Sequence, residues 1–194
     1  SRPHSSAQSC CGAAIMGAAI MAGFAKGAPK HHHLVFKAHP LEDGRVALRR
    51  EIAQLAKSYG LEKRVHFVRG GKLAQLLNEA RSAVTVNSTA AQQALWRGIP
   101  LAVFGEAVYA KPEFVSDQPL AAFFAGAERP NNAAYKEYRR YLLETSQIAG
   151  GYYSMRGRQQ LLRQVVDMML QPEDPYDAFK SGTAAPRQQL NLVT

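Results

Sequence analysis

Leu34-Val-Phe-Lys-Ala-His-Pro40 and Val84-Thr-Val-Asn-Ser-Thr-Ala90 each run from an apolar stretch directly into polar residues that open a helical pattern. An α/β protein builds an anion site in this way. A strand ends, the chain turns, and the next helix presents backbone N–H groups and the positive end of its dipole to the crevice. Two such junctions in one small sheet point to a ligand that carries phosphate.

Outward from these junctions, short β-rich runs alternate with helical patterns, which predicts βαβ units and a parallel sheet. Leu34 to Lys37 reads as a strand, and Val46 to Tyr59 as a helix with apolar Val46, Leu48, Ile52, Leu55 and Ala56 near helical spacing, closed by Gly60. A strand from Arg64 to Val68, a short helix from Lys72 to Arg81 and a third strand from Ala83 to Val86 follow. Thr89 to Arg97 reads as a helix stopped by Gly98, and Ile99 to Phe104 as a fourth strand entered through Pro100, which is tolerated at a strand's start. Phe114 to Gly126 is irregular or a short helix, and Ala133 to Ile148 and Arg158 to Leu170 read as longer helices separated by Gly150-Gly-Tyr-Tyr153. The expected fold class is α/β, an open parallel sheet with helices on both faces.

The 194 residues are 46% hydrophobic and 20% charged, enough apolar material to bury a core. A formal charge of +9, from 24 Lys and Arg against 15 Asp and Glu, favours an anionic partner or surface. The basic residues are scattered over several helical patterns without interleaved aromatics, so no nucleic-acid partner is expected. The two cysteines, Cys10 and Cys11, are adjacent, a poor geometry for a structural disulfide, and the chain reads as reduced and cytosolic. Ala13 to Phe24 is apolar but too short to span a bilayer and contains two glycines, so it reads as an amphipathic helix or an N-terminal scar.

Residues 1–30 form an atypical N-terminal segment, helical in part or disordered, and with no initiator methionine the chain reads as a piece of a longer protein. Residues 31–172 are expected to form the ligand-binding domain. After Gln171-Pro172 the composition turns polar and rich in Pro, Gly and Gln, so 173–194 is expected to be a flexible tail.

Val35-Phe-Lys-Ala-His-Pro40, Gly60-Leu61 before Arg64-Val65, Val86-Asn-Ser-Thr89, Gln93-Ala-Leu95, Gly98-Ile-Pro100, Gly105-Glu-Ala-Val-Tyr109 and Gly150-Gly-Tyr-Tyr153 follow one another in an order and spacing that resembles the C-terminal half of the capsule polysaccharide biosynthesis proteins of Gram-negative bacteria. The resemblance implies a Rossmann-like domain, the donor-binding half of a GT-B glycosyltransferase of the capsule Kdo transferase type. It implies a nucleotide-sugar donor, CMP-Kdo, a lipid-linked saccharide acceptor, other capsule assembly proteins as partners, and no cofactor or metal. The family has also been described as capsule export or modification proteins. The alternative reading is therefore a non-catalytic component of capsule assembly or export, with another nucleotide-sugar enzyme behind it. No Gly-x4-Gly-Lys-[Ser/Thr] phosphate loop is present, and nothing in the sequence reads as a pore or an ATP-driven motor.

His39 follows the first strand, at the edge where ligands of open α/β sheets bind, and Pro40 biases it toward an extended backbone. It is either a donor to a ligand phosphate or a packed turn histidine, and the resemblance favours the first. Lys37 lies two residues earlier on the same face of the strand. Asn87, Ser88 and Thr89 close the third strand and cap the next helix, where hydroxyls and N–H groups are suited to a phosphate. Gly105 lets the chain leave the fourth strand. Glu106 is a ribose ligand, a catalytic carboxylate or a solvated loop residue, and Tyr109 stacks on a base or packs the pocket wall.

The binding set is thus Lys37, His39, Asn87, Ser88, Thr89, Gly105 and Tyr109, with His39 and Glu106 as the catalytic candidates. His31-His32-His33 reads as a polar loop, because side chains alternate along a strand and no partner with ligand spacing lies nearby; no metal site is expected. Tyr135, Tyr138 and Tyr141 read as core packing first and a sugar-stacking platform second. CMP-sugars are cytosolic and the implied acceptor is a membrane lipid, so the expected location is cytoplasmic, on the inner-membrane surface.

Overall fold

Strand β1 (Leu34–Lys37) pairs in parallel with β2 (Val65–Val68), placing Leu34 opposite Val65 and Phe36 opposite Phe67. The period of two sends these four residues into the core and leaves Val35 and His66 exposed. Strand β3 (Ala83–Thr85) pairs in parallel with β4 (Leu101–Val103), and Ser116 bridges in parallel to Ala102 on β4. Backbone bonds from Ala83 N to Pro100 O and from Gly105 N to Val86 O continue this ladder past both ends. The computed structural model describes residues 6–38, 47–148 and 154–183, with side chains from residue 15 onward. The chain divides into two units, Ser1–Asn132 and Ala133–Thr194.

The result is a mixed α/β protein with short parallel strands. It corrects one expectation, since the four strands do not form a continuous sheet: among the described residues they make two separate pairs, β1–β2 and β3–β4. Apolar patterning specifies each strand but not which crossover brings two strands into register, and strands of three or four residues offer few ladder bonds to close the gap.

Helix α2 (Leu48–Ser58) connects β1 to β2 and buries Ile52 and Ala56, spaced one turn apart. Gly60, at φ 65°, ends it: Gly60 N bonds Lys57 O and Leu61 N bonds Ala56 O, so the left-handed residue closes the helix and delivers Leu61 to the core. Helix α3 (Leu73–Glu79) and helix α4 (Gln92–Trp96) bracket β3, and Leu77, Ala94 and Ile99 form a small cluster beneath them.

The N-terminal segment is more than a scar. Helix α1 (Ser6–Gly27) carries Met21 and Phe24 into the main core and packs along helix α5 (Leu120–Gly126), whose Phe123 and Phe124 complete that core. Its glycines are the contact. A Cβ on Gly23 would stand 2.5 Å from Leu120 Cβ, and one on Gly27 1.8 Å from the Ala121 carbonyl oxygen. Arg64, at the entry to β2, fixes the end of this helix. Its guanidinium donates to the carbonyls of His32 (2.9 Å) and Pro29 (2.6 Å) and lies 4.7 Å from the centre of the Phe24 ring. Among the described residues, no helix is long and apolar enough to cross a membrane.

In the second unit, helix α6 (Asn132–Thr145) buries Tyr135, Leu142 and Thr145, and the Tyr141 ring packs edge-on against Tyr176 and Phe179 of helix α8 (Pro175–Ser181). The tyrosines of α6 are thus packing residues, as their spacing indicates. Helix α7 (Met155–Met169) starts at Ser154, whose hydroxyl accepts from Gly157 N. Helix α8 lies within the stretch expected to be a flexible tail. Asp174 caps it by accepting from Tyr176 N, and Pro175 stands at its first turn, local signals that outweigh a Pro- and Gly-rich composition. Residues 184–194, the Gly150-Gly-Tyr-Tyr153 motif and Val46 lie outside the described residues.

Candidate functional site

The loop after β3 is built from its own hydroxyls. Ser88 N donates to Thr85 Oγ1 at 3.2 Å, and Ser88 Oγ accepts from Ala90 N at 3.3 Å. The Ser88 carbonyl takes Ala91 N at 3.1 Å, an i to i+3 bond that makes residues Thr89–Ala91 a 3-10 turn. The helix expected from Thr89 to Arg97 is therefore shorter, this turn followed by the five-residue α4. Part of the N-terminal hydrogen-bonding capacity is spent on Ser88 itself. What remains toward solvent are the exposed side chains of Asn87, Ser88 and Thr89 and the Ser88 hydroxyl proton.

The loop after β4 is brought against this turn. Gly105 N donates to Val86 O at 2.8 Å, and a Cβ on Gly105 would lie 3.1 Å from that oxygen, so a larger residue would push the two loops apart. Four residues on, Tyr109 donates its phenol to the Ser88 carbonyl at 2.5 Å. Its side chain is buried, and burial pushes the phenol pKa above its ordinary value, opposed by a hydrogen bond with the Thr85 side chain. Tyr109 thus holds the Ser88 turn from beneath, and its ring has no open face for a base. Thr85 joins the two loops through both Ser88 and Tyr109. Thr85 is not among the candidate residues drawn from the sequence, although a hydroxyl three residues before a Ser-Thr turn is a recognisable turn signal.

Ser88, Gly105 and Tyr109 are therefore in one assembly, flanked by exposed Asn87 and Thr89 and by the exposed Glu106 beside Gly105. Lys37 lines a cavity that Thr85 also reaches. This cavity of about 1680 Å³ opens between the two strand pairs, lined on this side by Lys37, Val68, Lys72, Thr85, Val86 and Phe104. Asn87, Ser88, Thr89, Gly105, Glu106 and Tyr109 lie outside that lining. His39 falls outside the described residues, so its role rests on sequence.

At the opposite ends of the strands, His33 Nδ1 lies 2.8 Å from His66 Nε2 with the rings stacked, and the rings of His31 and His32 pack edge to face. Desolvation, followed by the charges of His31, Arg81 and Arg64, lowers the His32 pKa below its ordinary value. Among the described residues, no three His, Cys, Asp or Glu side chains gather as a metal-binding set.

Parallel strands joined by helical crossovers, with polar loops gathered at the carboxyl ends of β3 and β4, define a mixed α/β protein with a candidate ligand edge. Residues 4–153 match the family model described as "Capsule polysaccharide biosynthesis protein", and the chain belongs to that family. It is 36% identical over 134 residues to a protein of Escherichia coli described as "Capsule polysaccharide export protein KpsS", covering 69% of this chain and 34% of that one. It is 31% identical over 136 residues to "Capsule polysaccharide modification protein LipB" of Neisseria meningitidis serogroups A and B, covering 70% of this chain and 32% of those proteins. The chain thus spans about a third of the length of the curated relatives it matches. No solved structure matches it.

Proposed function

We propose that this chain is the donor-binding part of a glycosyltransferase of capsule polysaccharide synthesis, a Rossmann-like GT-B half that holds a nucleotide sugar, CMP-Kdo, for transfer to a lipid-linked saccharide. The observation that carries the reading is the joined pair of loops at the carboxyl ends of β3 and β4, where Tyr109 and Gly105 lock the Ser88 turn and leave Asn87, Ser88 and Thr89 exposed together. Hydroxyl and amide donors held in this way suit a phosphate whose charge grows as the nucleotide departs. Lys37, at the end of β1, and His39, two residues further along the sequence, supply a positive charge and a donor to the ligand, and Glu106 takes a ribose hydroxyl or acts as the carboxylate. The transfer uses no metal. The complete reaction needs the acceptor side of the longer protein, so this chain alone is inactive. It works in the cytoplasm on the inner-membrane surface, with other capsule assembly proteins.

The relative described as an export protein favours a second reading, a non-catalytic component of capsule assembly or export. Isothermal titration with CMP against UMP separates the two. Selective CMP binding that is lost in both His39→Ala and Ser88→Ala supports the donor site. A folded chain that binds neither nucleotide overturns it in favour of the non-catalytic component.

A further inference from the structure

Helix α7 leaves an apolar stripe in solvent, interrupted on its first turns by the exposed Gln159. Met155, Leu162, Val166 and Met169 are 70%, 61%, 50% and 79% exposed, and Leu170, which caps the helix, is 77% exposed. Successive spacings of seven, four and three residues put the first four on one face at about 100° per residue. Leu161, Val165 and Met168, the other apolar residues of the helix, fall on the adjoining, partly buried side. The exposed stripe is therefore surplus to the packing of this unit, and an isolated patch of this kind marks an interaction surface.

Charge identifies what covers it. On the same helical wheel Arg158 borders one side of the stripe, and Arg163 and Arg156 border the other. Asp167, the one acidic residue of α7, stands beside Arg156 and one turn on from Arg163, so three arginines and one aspartate leave the rim net positive. A net positive rim beside a largely apolar stripe matches a surface that is negative at the level of the guanidinium groups and apolar beneath. Arginine suits that boundary because its stem lies along the apolar layer while its head reaches the anionic groups.

We propose that α7 is an interfacial helix that lies on an anionic lipid surface, with Met155, Leu162, Val166, Met169 and Leu170 in the acyl boundary and Arg156 and Arg163 at the headgroups. It deepens the membrane-surface part of the function proposed above and is independent of the donor-site part, so vesicle binding measured without nucleotide and CMP binding measured without vesicles fail separately.

The test is flotation of the full 194-residue chain with vesicles of phosphatidylcholine alone or mixed with phosphatidylglycerol. The wild-type chain is expected to float with the anionic vesicles. Leu162→Gln/Val166→Gln, which changes no charge, is expected to lower the partition coefficient by about tenfold or more. Arg156→Gln/Arg163→Gln, which leaves the stripe intact, is expected to lower it by about tenfold on anionic vesicles only. Both pairs are exposed, and a circular dichroism spectrum matching wild type establishes that each variant is folded. Failure of the wild type to float overturns the proposal. So does equal flotation of Leu162→Gln/Val166→Gln and wild type, which would assign binding to the net charge alone. A wild-type dimer in sedimentation that ignores vesicles and is lost in Leu162→Gln/Val166→Gln would overturn it in favour of a second copy of the chain.

Discussion

Replacing Gly27 with alanine should destabilise the first unit, and the geometry gives the size of the effect. Gly23 and Gly27 stand one turn apart on α1 and face Leu120 and Ala121 of α5. An alanine methyl at 27 would sit 1.8 Å from the Ala121 carbonyl oxygen, 2.6 Å from its carbon and 2.8 Å from its Cα, where real contacts do not fall below 3.0 Å. The atoms in the way are backbone, so no rotamer change relieves the clash. Either α5 retreats by roughly 1.2 Å, the difference between these distances, or α1 frays at its end. Retreat would loosen the seam of Met21, Phe24, Phe123 and Phe124, in which the Phe24 and Phe124 rings meet edge to face at 5.3 Å. Overpacking of this kind costs about 1–3 kcal/mol. The gain in helix propensity over glycine, about 1 kcal/mol in a helix interior, is smaller at a terminal residue.

The expected net loss is about 1–3 kcal/mol, and at about 2–4 °C per kcal/mol for a chain of this size the midpoint should fall by several degrees. Thermal melts followed by circular dichroism measure it, and two further glycines grade it. Gly17→Ala meets only the tip of the Leu55 side chain, at 3.3 Å, and should cost little. Gly126→Ala, at the end of α5, meets nothing within 4 Å and should leave the midpoint unchanged or raise it slightly. A Gly27→Ala chain that melts with Gly126→Ala, at or above the wild type, would refute the close crossing of α1 and α5 and the reasoning built on it.

Tyr109→Phe removes the bond to the Ser88 carbonyl and the partner of Thr85 while keeping the buried ring. It should cost about 1 kcal/mol of stability and weaken CMP binding severalfold by freeing the Ser88 turn; titration with binding unchanged from wild type would leave Tyr109 with a packing role alone. The lowered pKa of His32 predicts an acid sensitivity. The folded chain favours the neutral ring, so the unfolded chain holds more protons between the folded pKa and 6.5, and the stability is fully present above 6.5 and declines as pH falls through the folded value. An NMR titration should place the His32 midpoint below 6.5, with Arg81→Gln moving it up; a wild-type midpoint at or above 6.5 would count against the packing described for this histidine.

The individual elements were legible in the sequence because their signals are local. Leu34–Lys37 is the expected strand residue for residue, and Gly60 and Gly98 end their helices in the left-handed conformation that their positions after apolar periods imply. The function of the glycines in α1 was not legible, since they are explained by Leu120 and Ala121, far along the chain, and an Ala- and Gly-rich run gives no sign of what it crosses. Lateral pairing of the strands was hidden for the same reason. At the site, the Ser88 turn could be read from Asn87-Ser-Thr89, but the place of Tyr109 depends on which carbonyl its hydroxyl reaches, a property of the folded loops.

These differences divide the first unit into two kinds of constraint. The β1–β2 pair shares its core with α1 and is anchored by Arg64, whose donors hold the carbonyls that follow the helix. The loops after β3 and β4 are tied to one another: Gly105 to Val86, Ser88 to Thr85, Tyr109 to Ser88. No residue in this second set supplies a side chain to the main core cluster, so it can be altered without opening that core. No hydrogen-bonded ladder among the described residues couples β1 to β3, although Lys37 and Thr85 line one cavity of about 1680 Å³. The two sets share few partners, the condition under which the effects of substitutions add. The glycine crossing therefore sets how stable this unit is, while Thr85, Gly105 and Tyr109 set where the hydroxyls of the candidate site stand.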